Sequence, residues 1–237
     1  MPLKRYTHQS FINTSTTEYK DKTAEVLTRT FRTDPAIRFI TSSLSQEAHN
    51  AYLSSWFHAL MKAAQLNSAV FQGANNFQSV AVWMPPRKRV DNELTILQSG
   101  LVSVVLKLGL GGLKRIFIDF QASTDKAKKR YLKGVKRYWY LFFIATEEVA
   151  RGKGLASRVI EGWKEVARKE GLPIWLEATT ARSRDVYVRC GFEVLEEMVV
   201  GKGTHASSGE VEKGGPGVSI WAMVWWPEKR SENEDAK

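Results

Sequence analysis

Apolar positions fall into two alternating rhythms along the chain, and the switches between them outline the fold. Tyr19, Thr23, Val26, Leu27, Thr30 and Phe31 recur at the spacing of one helical face, behind Ser15 and Glu18 in capping-box register. A helix is predicted there, ending before Asp34-Pro35. Tyr52, Leu53, Trp56, Phe57, Leu60 and Met61 mark a second amphipathic helix over about 46–66. Short apolar runs at 69–71 and 77–84, around the turn Gly73-Ala74-Asn75-Asn76, predict two strands, the second closed by Pro85-Pro86. Residues 92–132 predict an irregular helical segment interrupted by GLGG. YWYLFFIA, 138–145, is too short and too apolar for a typical helix and predicts a buried strand.

Leu155, Val159, Trp163, Val166 and Ala167 then return to helical spacing, and Gly171 with Pro173 stops the run. PIWLEA, 173–178, predicts another strand, Arg182–Cys190 a helix stopped by Gly191, and 192–200 a further strand. The turn-rich 201–217 is expected to be a mobile loop, 218–226 the closing strand, and 228–237 a polar tail. The fold class expected is α/β of the α+β kind: a mixed, largely antiparallel sheet flanked by helices, in one domain over 1–237 with a helical insertion at 92–132 before the fourth strand.

Composition narrows the function classes. No run of eighteen apolar residues predicts a membrane span, and MPLKRYTHQS lacks the apolar core of a signal peptide. Cys190 is the only cysteine, which excludes a disulfide within the chain and favours a reducing, cytoplasmic compartment, with the nucleus open. The four histidines lack metal-ligand spacing, so no metal is expected. A net charge of +10 suits an anionic ligand. Its two concentrations, Arg87-Lys88-Arg89 and Asp125–Arg137, read mainly as solvated surface, because no nucleic-acid-reading motif accompanies them.

The most informative stretch is EEVARGKGLASRV, 147–159, which places Arg151, Gly152, Lys153 and Gly154 between a buried strand and a helix start. First-turn amides lack intrahelical partners, the helix dipole favours an anion, and glycine removes the Cβ that would keep a phosphate away. The dinucleotide fingerprint fails, since G-x-G-x-x reaches Ser157, and the G-x-x-x-x-G-K-[ST] loop is absent. A merely tight connection is the competing structural reading.

Arg151-Gly152-Lys153-Gly154-Leu155-Ala156 resembles the R/Q-x-x-G-x-G/A motif of the GNAT superfamily of acyl-CoA-dependent N-acetyltransferases, and Tyr187–Phe192 resembles its Y-x-x-x-G-F element. WLEAT, 175–179, and Asp34-Pro35 resemble the puromycin N-acetyltransferase-like branch. The resemblance covers 138–195 closely and about 12–90 more loosely. It implies acetyl-CoA as cosubstrate, its pyrophosphate on the amides of 151–156 (Arg151, Gly152, Lys153, Gly154, Leu155, Ala156) and its pantetheine along Ile144, Ala145 and Thr146. Tyr187 takes the position of the general acid that protonates the CoA thiolate. The chain departs from the pattern at Thr146-Glu147-Glu148, where proline is common, at Tyr138, where some members carry a glutamate base, and at Ser183, where an asparagine often meets pantetheine.

Glu177, a carboxylate inside an apolar strand, is then the candidate general base, against a structural hydrogen bond or a water relay. The acceptor pocket is expected from Phe31, Asp34 and Phe39, from Trp56, and from Trp83 and Trp221, with residues 92–132 as a lid or a cover. The function expected is acetyl transfer to the primary amine of a small molecule. Acetylation of protein lysines or N-termini, and a non-catalytic acyl-CoA-binding module, are the alternatives.

Overall fold

The computed structural model describes residues 12–227. The expected tail at 228–237 and the first eleven residues lie outside them. A seven-stranded sheet runs through the protein in the order β1-β2-β3-β4-β5-β7-β6, with β1 Ile12–Ser15, β2 Val70–Ala74, β3 Ser79–Met84, β4 Trp139–Thr146, β5 Ile174–Ala178, β6 Glu193–Val200 and β7 Val218–Trp225. Every neighbouring pair is antiparallel except β4 with β5. The mixed, largely antiparallel sheet flanked by helices is the architecture expected from the sequence.

Two helical layers cover it. On one face lie α1 (Lys20–Thr30), α2 (Pro35–Ile40) and α3 (Gln46–Leu66), burying Leu27, Phe57 and Met61 against Phe71 and Val82. The insertion closes the same face with α4 (Glu93–Ser99), α5 (Leu101–Leu106), α6 (Gly109–Lys114), a π-helical stretch Arg115–Gln121, and α7 (Ala122–Tyr131). On the other face, α8 (Leu155–Glu170) and α9 (Ala181–Arg189) pack Val159, Ile160, Trp163 and Tyr187 over Leu141, Leu176 and Met223. No helix among the described residues is long and apolar enough to cross a membrane.

Three local readings of the sequence change. Ser15 does not cap α1: it ends the edge strand β1, its hydroxyl accepts from the amides of Thr17 and Glu18, and the helix begins at Lys20. Four residues paired only to β2 leave too short a pattern to announce a strand. Asp34-Pro35 is not simply a turn, because Asp34 caps a new helix by accepting from the amides of Ala36 and Ile37 at 3.0 and 3.1 Å. The segment 201–217, expected to be mobile, is tied by Gly203 N–H to Gly215 O at 2.8 Å and by the Arg38–Glu210 ion pair at 2.9 Å. Gly209 lies so close to α2 that a Cβ there would meet the Pro35 carbonyl.

Candidate active site

The site begins with a defect in the sheet. Between Val82 and Trp83 of β3, the partner on β4 jumps from Phe143 to Leu141, so Phe142 is an extra residue, a bulge that bends the strand. The parallel pairing of β4 with β5 covers only Trp139–Tyr140 against Ile174–Trp175. Beyond it the strands part. Leu141 to Thr146 stay paired to β3 on one side and leave their other edge unpaired by β5.

The gap is met from outside by the start of α8. Gly152 and Gly154 have φ of 80° and 70°, and a Cβ on either would project into open space. Gly154 is the cap residue of α8, with no side-chain cap and no acid in the first turn. Its free first-turn amides and the dipole of a sixteen-residue helix therefore face an open cradle suited to an anion. Arg151 folds back, its Nε donating to the Thr146 carbonyl at 3.3 Å. Ser79 donates its hydroxyl to Ala145 O at 3.0 Å and fixes the strand end.

A cavity of about 1170 Å³ occupies this gap and extends under the insertion. It brings together, from the residues proposed by sequence, Ile144, Ala145, Thr146, Arg151, Gly152, Gly154, Leu155, Ala156 and Ser183 with Tyr187, Glu177, Phe31, Asp34 and Trp56. Lys153 belongs to the turn but not to the cavity wall, and its carbonyl accepts from Arg158 at 2.8 Å. Ser183 reaches the wall with its hydroxyl engaged in the Thr180 capping box, so it serves α9 before any ligand.

Three expected acceptor residues are elsewhere. Trp83 is fully buried on the α8 face, stacked on Trp163 at 5.1 Å and donating to Gln72 at 2.8 Å. Trp221 lies on that face too, under the Arg184 guanidinium. Phe39 is buried with its ring edge on His205. Strand alternation decides the first: β3 is buried on both faces, and Trp83 points away from the cavity side.

The two carboxylates in the cavity differ in their partners. Glu177 is not a lone buried acid. Its Oε1 accepts from the Trp175 indole at 2.7 Å and pairs with Lys128 Nζ at 3.1 Å, the side chains being 4 % and 17 % exposed. Lys128 belongs to the basic run read from sequence as solvated surface, and its ammonium also covers the Tyr140 ring at 4.3 Å. Burial first, and then the charge of Glu177, push the Tyr140 phenol well above its usual range.

Asp34 has no ion-pair partner among the described residues. Besides the two cap amides, its Oδ2 accepts from the Thr179 hydroxyl at 2.5 Å, which ties α2 to the end of β5. Burial raises its pKa, and the hydrogen bonds from Thr179, Ile37 and Ala36 only partly offset that. Tyr187 stands near it: burial, then the charge of Asp34, raise the phenol above its ordinary value, so its proton is retained through neutral pH. A buried carboxylate without a cation, beside a protonated phenol and an anion cradle, can hold an ammonium, take a proton and give one.

Comparison with known proteins bears on the fold and the family. The model of the acetyltransferase (GNAT) family matches residues 109–192, from α6 to the start of β6. An uncharacterised N-acetyltransferase of Schizosaccharomyces pombe is 28% identical over 176 residues, 74% of this chain and 70% of that one. Arylalkylamine N-acetyltransferase 2 from Aedes aegypti superposes with a TM-score of 0.59 at 19% identity, covering 92% of this chain and 99% of its own. A structure described as histone acetyltransferase HPA2 and related acetyltransferase, from Corynebacterium glutamicum, gives 0.58 at 21% identity, covering 93% and 98%. The structures share the fold, and the family model and the relative support a GNAT acetyltransferase; the chain is an enzyme of the acetyltransferase class.

Proposed function

We propose that this acetyltransferase moves the acetyl group of acetyl-CoA directly to the primary amine of a small molecule. The observation that carries the reading is the parting of β4 from β5 opposite the glycine-capped start of α8, with Asp34 and Tyr187 on the rims of the same cavity. The amides of 152–156 would hold the cofactor's pyrophosphate, and the unpaired edge of Ile144–Thr146 its pantetheine arm. Acetyl-CoA supplies an activated acyl carbon on a thiolate leaving group.

The protein's own groups do the rest. Asp34, uncompensated and buried, attracts the ammonium form and accepts its proton, which leaves a nucleophilic nitrogen. A backbone amide of β4 near Ala145 is placed to stabilise charge on the carbonyl oxygen. As the carbon–nitrogen bond forms and the carbon–sulfur bond breaks, the Tyr187 hydroxyl delivers its proton to the departing sulfur, and the proton that the nitrogen sheds as the amide forms returns to the phenolate. This assigns the base to Asp34 rather than to Glu177, whose charge is already answered by Lys128. The insertion roofs the acceptor side, which suits a small molecule better than a polypeptide. WLEAT at 175–179 with Asp34-Pro35 keeps the puromycin N-acetyltransferase-like branch as the finer assignment.

The test is thiol release from acetyl-CoA with a panel of small amines and of lysine peptides. Turnover with small amines is expected. Release with peptides alone would replace the reading by protein acetylation. A melting shift on adding acetyl-CoA, without release for any acceptor, would make the chain a binding module.

A further inference from the structure

The cavity is larger than the ~300–1,000 Å³ usual for one ligand, and its two ends differ in chemistry. Every lining residue between 101 and 120 is apolar, among them Val102, Leu106, Leu113, Ile116, Phe117 and Phe120. Several are not core residues that happen to border a void. Leu106 is 59% exposed and Phe117 46%, so the apolar wall runs out to the protein surface. The π-helical turn that carries Ile116, Phe117 and Phe120 is a wider coil than an α-helix, a device frequent at functional sites.

A track joins this chamber to the reactive end. Asp34, Ile37 and Ile40 recur at three-residue spacing from the start to the end of α2, and all three line the cavity. They span about 9 Å along the helix axis, from 6 residues at ~1.5 Å each. At the far end Arg115 donates to the Ile40 carbonyl at 3.2 Å, which fixes the π-helical stretch against α2. Carboxylate, isoleucine, isoleucine, insertion is the order a head-and-tail molecule would meet.

We propose that the acceptor is an amphiphilic primary amine, its ammonium at Asp34 and an unbranched apolar tail laid along Ile37 and Ile40 into the chamber of α5 and the π-helical stretch. This rests on the reading of the protein as an amine acetyltransferase and specifies its substrate. The tail accounts for the apolar side of the chamber formed by residues 101–120, while Gln121, Asp91 and Arg87–Arg89 border the same cavity.

The experiment compares propylamine with octylamine in acetyl-CoA turnover, two amines of closely similar basicity. Each buried methylene should raise kcat/KM by ~3–4-fold, so the five extra methylenes of octylamine should place its value roughly 200–1,000-fold above that of propylamine. Leu106→Asp and Phe117→Asp, at exposed positions, should each lower that ratio by about 10-fold, with folding checked by melting. Equal kcat/KM for the two amines, or an unchanged ratio in both folded variants, would overturn the tail chamber while amine acetylation stands. A gain from octanoyl-CoA on propylamine with none from octylamine would give the chamber to the acyl donor and also overturn it. No turnover with any amine would remove the functional reading and this inference with it.

Discussion

The α8 wall of the cavity is made of backbone, and the wall under the insertion is made of side chains. At the glycine turn, the proposed cofactor contacts rest on amides, a helix dipole and the absence of Cβ atoms, all supplied by the continuous stretch 152–170. At the other wall, Asp34 from α2, Glu177 from β5, Lys128 from α7 and the apolar residues of the insertion come from segments up to 143 positions apart (177 − 34). A wall of backbone can bind one kind of group, phosphate or amide, in many proteins. A wall of side chains can be re-lined without changing the fold, and the proposed acceptor end lies there. The family match, confined to 109–192, leaves out α1, α2 and α3, which supply Asp34 and its surroundings.

The sharpest break of this division is Tyr187→Phe, because Tyr187 sits where the two walls meet. Loss of its proton should lower kcat by roughly 10²–10⁴-fold with acetyl-CoA affinity little changed. A folded variant with near-normal kcat in steady-state assays would leave Tyr187 a packing residue against Phe192.

Lys128→Met tests whether the side-chain wall depends on its ion pair. It strands Glu177, 4 % exposed, without a cation, and should cost about 3 kcal/mol in urea unfolding. Adding Glu177→Gln should restore most of that stability. Glu177→Gln alone should lower kcat less than Asp34→Asn does; the reverse order would return the base to Glu177.

Asp34→Asn keeps a capping side chain on α2 and removes the charge. It should reduce kcat/KM by about 10²-fold. In the wild-type protein, activity should fall on acidification at a pH above the ordinary carboxylate range, because burial raises the Asp34 pKa. The sign on stability is opposite. An acid whose folded pKa lies above its ordinary value of 3.8 contributes most when protonated, and that contribution is lost as pH rises from 3.8 through the raised value. The Asn variant should lack both dependences; retention of either in a pH series would point to another group.

Gly154→Val carries the smallest effect. Its Cβ would meet no protein atom, yet φ of 70° strains a β-branched residue and the Cβ stands in the cradle. Acetyl-CoA should bind about 10-fold more weakly, the equivalent of ~1.4 kcal/mol, in a variant that still folds. Unchanged affinity by calorimetry would remove the cradle from the backbone wall.

Much of the first wall was legible because its physics is local. The run 138–145 is apolar enough to be a buried strand anywhere, and Gly152, Gly154 and the periodic residues of α8 announce a turn and a helix without help from the rest of the chain. The second wall was legible only in part. Phe31 and Asp34, expected from the turn after the first helix, and Trp56, expected from the second, line the cavity, whereas Phe39, Trp83 and Trp221 do not; Trp83 lies on a strand buried on both faces, which gives no alternation from which to read direction. Glu177 drew notice as a charge in an apolar strand. Its partner Lys128 did not, because a lysine among lysines carries no mark of the one that turns inward.

What the sequence determined by itself is most of the succession of elements and the glycine turn before α8, each encoded within one turn or one period. Tertiary structure alone decided where the sheet opens, which tryptophans face the cavity, and which carboxylate is left without a cation. Those depend on a one-residue bulge at Phe142, on pairing between strands far apart in the chain, and on an insertion folding back over the sheet. They are energies of contacts between distant segments, and no window of sequence contains both sides of such a contact.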